Sequence, residues 1–318
     1  MESKNQCYYQ NCRMSSRNQK IAYICLFGST LIWGATVPLM KYTLEYIPVF
    51  VLAFVRFFGA AILLFPFVYK DLRIKISDIP LFILAGLFGI SFHIAAFFYG
   101  LTYTFAVNAS ILAASAPLFT IVLAGILLHE KISRRMIVGA SIGFLGILTI
   151  TIQNFQGGFA ISPIGDLLII VSALSFVLFE IISKKLDTRY SPLVINFYSF
   201  LIGSFTFSPI ALQYFLENPR LLFEIPSTAQ LGLIYGVVFS SFAAYALWQK
   251  GLAGLDASKV GLFMYLDPLV ATSIAVIVLG EQISPYFIGG AVCIFLGILV
   301  ARSHIHHFRS HGPRRSHT

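Results

Sequence analysis

The sequence predicts an all-α integral membrane protein of ten transmembrane helices, arranged as two inverted five-helix repeats. Three observations carry this. The chain is 58% hydrophobic and 11% charged, against roughly 25% charged residues in an ordinary soluble domain. Apolar stretches recur along its whole length, each long enough to cross a bilayer, which takes about 20 residues. Residues 100–148 reappear without a gap at 251–299. Ala116-Pro117-Leu118 returns as Asp267-Pro268-Leu269, Glu130-Lys131-Ile132-Ser133 as Glu281-Gln282-Ile283-Ser284, and Phe144-Leu145-Gly146-Ile147-Leu148 as Phe295-Leu296-Gly297-Ile298-Leu299. A membrane protein built twice from one unit is usually a device with two related conformations.

In chain order, the expected spans are Ile21–Tyr42, Val49–Tyr69, Ile79–Leu101, Thr104–Leu128, Arg135–Ile152, Asp166–Ser183, Leu193–Phe215, Gln230–Leu252, Ala257–Leu279 and Pro285–Ala301. Four units follow: a polar tail over 1–20, a first repeat over 21–152, a second over 166–301 and a basic, His-rich tail over 302–318. The first span runs well past a signal-peptide core and has no small-residue cleavage pattern, so it reads as a retained helix. Ser133 and Ser284 read as N-caps, the latter followed by Pro285 at the first helical position. Gly139 with Gly146, and Gly290 with Gly297, put small residues on one helix face and permit close helix contact. Glu130 and Glu281 stand at helix ends and read as structural.

Basic residues orient the spans. With the N-terminus inside, only Lys41 and Arg220 of the 22 Lys and Arg fall outside, and Arg56 lies within the membrane. All others cluster in the tails and in the loops at Lys70–Lys75, Lys131–Arg135, Lys184–Arg189 and Lys250–Lys259, as the positive-inside rule demands of cytoplasmic segments. Both termini are therefore expected in the cytoplasm, at the cell membrane. A five-span unit has an odd number of crossings, so its second copy must enter upside down. The loops agree: Lys131, Arg134 and Arg135 follow the first Glu130 motif, whereas the matching loop after Glu281 has no basic residue. The net charge of +9 thus reports membrane orientation rather than nucleic-acid binding. The basic tail suits anionic lipid of the inner leaflet.

In order, Trp33-Gly34, Arg56, Gly100-Leu101, Pro117, Glu130, Trp248, Tyr265-Leu266-Asp267-Pro268, Gly280-Glu281, Gly290 and Gly297 resemble the drug/metabolite transporter superfamily, with paired EamA domains covering about Ile21 to Ala301. Two positions depart from the pattern. His129 stands where the family usually has Gly, and Phe176 or Val177 where the second half might carry Trp. The resemblance implies ten helices around a central cavity and secondary transport or exchange of a small metabolite or drug-like solute by alternating access. No Gly-rich loop ends in Gly-Lys-Ser/Thr, so nothing points to ATP hydrolysis. No cofactor is expected.

Several intramembrane residues could carry chemistry. Asp267 sits about ten residues into its span, near mid-bilayer at roughly 1.5 Å per residue. A carboxylate there costs roughly 2.5–3.5 kcal/mol on the insertion scale, so it is protonated, paired or wet. It is a candidate coupling group or a packing residue. Arg56 needs a partner or water, because arginine keeps its proton. It could bind an anionic group, form a structural ion pair or snorkel to the headgroups. Glu180 is a second coupling candidate, or an ion-pair partner of Lys184 at the favoured four-residue spacing. His93 could titrate near neutral pH or simply hydrogen-bond a neighbouring helix. Trp33, Phe97, Tyr99, Tyr245, Trp248 and Tyr265 could line a pocket and stack on a flat or cationic solute, or face lipid and other helices. Asn108 and Ser110 add polar groups. Pro38, Pro117 and Pro268 mark hinges or static kinks.

The expected partners are the bilayer, a small-molecule solute and, if transport is coupled, protons; a homodimer stays open. Two other functions compete: an integral-membrane enzyme acting on a lipid, and a passive facilitator. An enzyme would normally cluster its acidic or His residues, but here the ionisable groups are scattered over spans 2, 3, 6 and 9. No metal site is expected. Cys25 and Cys293 lie in apolar helices, and Cys7 and Cys12 lack further ligands at suitable spacing.

Overall fold

The computed structural model describes residues 16–103, 112–152, 163–270, 273 and 285–302. Among them every regular element is helical, with no strand. The long segments are α1 (Ser16–Thr43), α2 (Val49–Val68), α3 (Ile76–Tyr103), α4 (Ala116–Leu127), α5 (Arg134–Ile152), α6 (Pro163–Leu186), α7 (Pro192–Glu217) and α8 (Ser227–Gly254). Next come α9, which opens as Ala257–Gly261 and continues through a 3-10 turn at Leu262–Tyr265, and α10 (Pro285–Arg302). Five of these, α2, α3, α6, α7 and α8, are long and apolar enough to cross a membrane. α4 is a shorter apolar helix. The expected spans over 104–128 and 257–279 run partly outside the described residues.

Local chemistry accounts for the helix ends. Ser191 accepts the Val194 amide at 3.4 Å, with Pro192 at the first helical position of α7. Ser133 accepts the Met136 amide at 3.2 Å and caps α5 as the sequence leads one to expect. His129, between α4 and α5, takes a left-handed φ of 54°, the conformation that glycine adopts without penalty.

The helices pack in pairs: α5 against α10, α2 against α7, α3 against α6, α1 against α8, and α4 against α9. The α5–α10 contact is backbone to backbone. A Cβ on Gly297 would stand 2.5 Å from the Gly139 carbonyl, and one on Gly146 would stand 2.7 Å from the Gly290 carbonyl. Small residues win here because lipid supplies no hydrophobic drive between helices, which leaves close van der Waals packing as the main attraction. The largest core cluster joins α2, α3, α6, α7 and α8, while a second gathers α5, α9 and α10 around Tyr265, Ile147 and Ile294.

Two helices depart from α geometry at matching places. α3 widens into a π-helical stretch at Leu87–Phe92, and α8 does so at Gly236–Ala243. With the 151-residue offset of the two copies, these stretches overlap. α4 and α9 are likewise both interrupted. A turn at Ala114–Ser115 precedes Pro117, and the 3-10 turn at Leu262–Tyr265 precedes Pro268. Pro117 therefore begins a helix rather than bending one. The irregular stretches of α4, α8 and α9 supply Ala114, Ser240 and Met264 to the central cavity, and His93, the residue after the α3 stretch, also lines it.

Candidate functional site

A cavity of about 260 Å³ lies between the helices, lined by α1, α2, α3, α6, α8, α9 and the segment leading into α4. Trp33, Thr36 and Met40 come from α1, Arg56 from α2, His93, Phe97 and Phe98 from α3, Ser172 and Phe176 from α6, Ser240 and Tyr245 from α8, and Asp267 and Pro268 from α9. The lining is mostly apolar and aromatic with a few convergent polar groups, the usual make-up of a small-molecule site.

Trp33 anchors the aromatic wall. Its ring centroid lies 5.2 Å from Tyr245, 5.1 Å from Trp248 and 5.8 Å from Phe176. Its Nε1 donates to the Ser240 carbonyl at 3.1 Å. Ser240 lies in the π stretch of α8, where widening the turn breaks the regular i−4 pattern and makes carbonyls accessible. Phe176, at the position where the family's second half might carry Trp, sits against Trp33 and against His93 at 5.0 Å.

Arg56 is 3% exposed. Its Nη2 donates to the hydroxyls of Ser240 at 3.0 Å and Ser241 at 3.2 Å. The guanidinium also lies 5.3 Å from the Phe57 ring and 5.9 Å from Phe98. It does not snorkel, and no described carboxylate pairs with it. His93 Nδ1 stands 2.8 Å from the Ser172 hydroxyl and 3.1 Å from the Ser172 carbonyl. Asp267 faces the cavity from α9, and its Oδ1 is buried without a hydrogen-bond partner among the described residues.

The remaining candidates lie elsewhere. Glu180 is fully buried and does not pair with Lys184; Thr120 donates to its Oε2 and Trp248 Nε1 to its Oε1, both at 3.1 Å. Lys184 instead reaches the Leu252 carbonyl at 2.7 Å and Asp187 at 3.3 Å, capping the end of α8. Trp248 thus stands behind Trp33, one layer outside the cavity. Tyr265 packs in the second core and donates to the Ala140 carbonyl at 3.0 Å. Tyr99 packs on Phe50 at 5.5 Å, away from the lining. Asn108 and Ser110 lie outside the described residues, as do Cys7, Cys12, Glu281, Ser284 and the His-rich tail. Pro38 belongs to the backbone of α1. The sequence reading missed Ser172, Ser240 and Ser241. Serine is common in membrane helices, and the partners of these three are 79 to 185 residues away.

The lining clusters toward one end of the bundle, at the C-terminal halves of α1 and α3 and the N-terminal half of α6. The opposite end is crossed by hydrogen bonds between loops and helix ends. Arg189 and Tyr190 hold Asp78 at 2.6 and 2.7 Å, and Tyr198 donates to the Leu72 carbonyl at 2.6 Å. Glu130 accepts the first amides of α9, Ala257 at 2.7 Å and Ser258 at 3.1 Å, a helix N-terminus that favours a carboxylate.

Comparison with known proteins decides the family. The model of the EamA-like transporter family matches residues 20–152 and 163–303. The chain belongs to the EamA-like transporter family. This EamA chain is 31% identical over 286 residues to the uncharacterized transporter YyaM of Bacillus subtilis (strain 168), covering 88% of this chain and 92% of that one. It is 29% identical to the S-adenosylmethionine uptake transporter of Rickettsia prowazekii (strain Madrid E), covering 85% and 89% of the two chains. A solved crystal structure shares its fold at a TM-score of 0.73 and 20% identity, over 88% of this chain and 96% of that one. The EamA protein is therefore a multi-pass membrane transporter of small solutes.

Proposed function

We propose that this transporter works by alternating access, and that the cavity beside Trp33, Arg56, His93, Phe97 and Asp267 is where the solute sits. The observation that carries this is the closed opposite end. The cavity approaches one face of the bundle, while Asp78–Arg189, Asp78–Tyr190 and Glu130–Ser258 link the proposed first repeat (21–152) to the second (166–301) at the other. By the positive-inside rule the tied end is cytoplasmic, so this conformation is outward-facing, with both termini in the cytoplasm.

The pairing of helices supports the inverted ten-helix plan. A two-fold axis in the membrane plane relates α1 to α6 and α3 to α8, so the α1–α8 pair maps onto α6–α3, while α2–α7, α4–α9 and α5–α10 map onto themselves. Those are the pairs present. The interruptions of α4 and α9 at equivalent places follow the pattern of broken helices at transporter binding sites.

A volume of about 260 Å³ lies near the lower end of ligand pockets, roughly 300–1,000 Å³, which suits a small metabolite. Asp267 is the proposed coupling carboxylate, facing the cavity with its Oδ1 lacking a hydrogen-bond partner among the described residues. Glu180 is a second, linked to the cavity through Trp248 and Trp33. Proteoliposome uptake of labelled amino acids, nucleosides, amines and S-adenosylmethionine, with and without a pH gradient, tests the proposal. Wild type should accumulate at least one solute in response to the gradient, and Asp267→Asn should only equilibrate it. Gradient-driven accumulation that survives Asp267→Asn removes the coupling role.

A further inference from the structure

Two close contacts fix how the helices of the two repeats correspond. A Cβ on Gly100 of α3 would stand 2.7 Å from Ile169 and 3.3 Å from the Gly165 carbonyl of α6. A Cβ on Gly251 of α8 would stand 2.5 Å from Leu26 and 3.3 Å from the Ala22 carbonyl of α1. Serines repeat the relation. The Ser172 hydroxyl of α6 lies 2.8 Å from His93 of α3, and Ser29 of α1 donates to the Ala244 carbonyl of α8 at 3.0 Å. The α3–α6 pair is thus the counterpart of the α8–α1 pair, residue by residue.

Some cavity residues face their own equivalents. Trp33 corresponds to Phe176, Ile94 to Tyr245 and Ala116 to Asp267, and all six line the cavity. Met40, Phe98 and Leu101 line it too, but their equivalents, Ser183, Gln249 and Leu252, do not. Those three lie beyond the cavity floor with Trp248, the equivalent of Phe97, and each is at most 2% exposed.

Hydrogen bonds hold this layer together. Gln249 Nε2 donates to the Ser183 hydroxyl at 2.8 Å. Thr120, Glu180 and Trp248 stand one helical turn beyond the lining residues Ala116, Phe176 and Tyr245, and Glu180 accepts from the other two. Such bonds part at small net loss, because water or a polar solute replaces each partner. A layer built only of leucine and phenylalanine would have to expose apolar surface to open.

We infer that this layer is the closed form of a second vestibule. When the end crossed by the Asp78 and Glu130 bonds opens, Ser183, Trp248, Gln249 and Leu252 line the pathway. There the Ser183 hydroxyl and the Gln249 amide meet polar groups of the solute, at positions where the other side offers Met40 and Phe98. This rests on alternating access between inverted repeats, proposed above.

Thiol labelling of the full-length protein in membrane vesicles tests it, with the four native cysteines removed. Gln249→Cys and Leu252→Cys should react with a membrane-impermeant thiol reagent added on the side of Asp78 and Glu130. Ile182 adjoins Ser183 but corresponds to Leu39, on the outer surface of the bundle. Ile182→Cys should therefore react roughly tenfold more slowly, since only the opened pathway admits the reagent. Adding Asp78→Asn and Glu130→Gln should speed the first two and leave Ile182→Cys unchanged. If Gln249→Cys does not fold, Leu252→Cys carries the comparison. Rates at 249 and 252 no faster than at 182 overturn the inference. Met40→Cys and Phe98→Cys, labelled from the opposite side, keep that failure separate from failure of the cavity reading. If these two react while 249 and 252 stay silent, the cavity stands and the second vestibule falls; if all four stay silent, both fall.

Discussion

At the scale of single residues, polar side chains in this protein have specific partners, and those partners predict what each substitution does. Glu180 accepts from Thr120 and Trp248 in full burial. Glu180→Gln keeps an acceptor for the indole and should fold normally. Glu180→Leu strands the Trp248 indole N–H, whereas Thr120 keeps the Ala116 carbonyl at 3.0 Å; it should cost about 1–3 kcal/mol, read as a lower thermal midpoint in detergent together with altered Trp248 emission. His129 holds a left-handed φ of 54°, which costs a non-glycine residue roughly 1–2 kcal/mol, partly offset by glycine's own entropy loss of roughly 0.5–1 kcal/mol. His129→Gly should therefore raise stability by about 0.5–1 kcal/mol in the same assay. A fall would mean that the imidazole makes a compensating contact. The residue at 129 was legible in advance as a departure from the family pattern, and its backbone shows why glycine is usual there. Arg56 and Asp267 were legible as costly intramembrane charges. Ser240, Ser241 and Ser172 were not, because nothing local marks a serine as the partner of a side chain on another helix.

At the scale of elements, length and hydropathy locate helices well and their irregularities poorly. A membrane helix is apolar on most sides, so the 3.6-residue period that would betray a change of register is faint. The π stretch Gly236–Ala243 therefore left no trace in the sequence, although it supplies the carbonyl that holds Trp33. Pro117 and Pro268 did mark the broken helices, but the break at Pro117 precedes the proline instead of following from it. The glycine spacing in α5 and α10 was readable because small residues seven apart share a face. Replacing Gly297 by leucine forces the two backbones apart and should cost about 1–3 kcal/mol by overpacking. Gly289 offers a control, since a Cβ there meets nothing within 4 Å; Gly289→Ala should stay within about 0.5 kcal/mol of wild type. Equal destabilisation by both, in thermal unfolding, would deny the close α5–α10 contact.

For the whole molecule, the proposed alternating access depends on which end of the bundle is closed. Asp78 joins the start of α3 to the α6–α7 loop, and Glu130 joins the end of α4 to the start of α9. Loosening both should favour the conformation open on that side. Ser183 is fully buried there, bonded to Gln249 at 2.8 Å. In a protein stripped of its native cysteines, Ser183→Cys should react with a membrane-impermeant thiol reagent severalfold faster when Asp78→Asn and Glu130→Gln are added. An unchanged rate would show that these ties do not gate that end. The proposed inverted plan rests on the loop charges exchanged between the Glu130 and Glu281 motifs, the exchange expected when an odd-numbered repeat is inserted in opposite senses. The depth and shape of the cavity were not legible in the sequence, because they depend on helix pairings between residues as far apart as Trp33 and Ser240. The most direct measurement is solute uptake by proteoliposomes containing the Ala113→Trp variant, whose indole would fill the mouth of the cavity where α4 begins. The transport reading predicts a protein that keeps its thermal midpoint and loses uptake; uptake at the wild-type rate through the plugged cavity would contradict it.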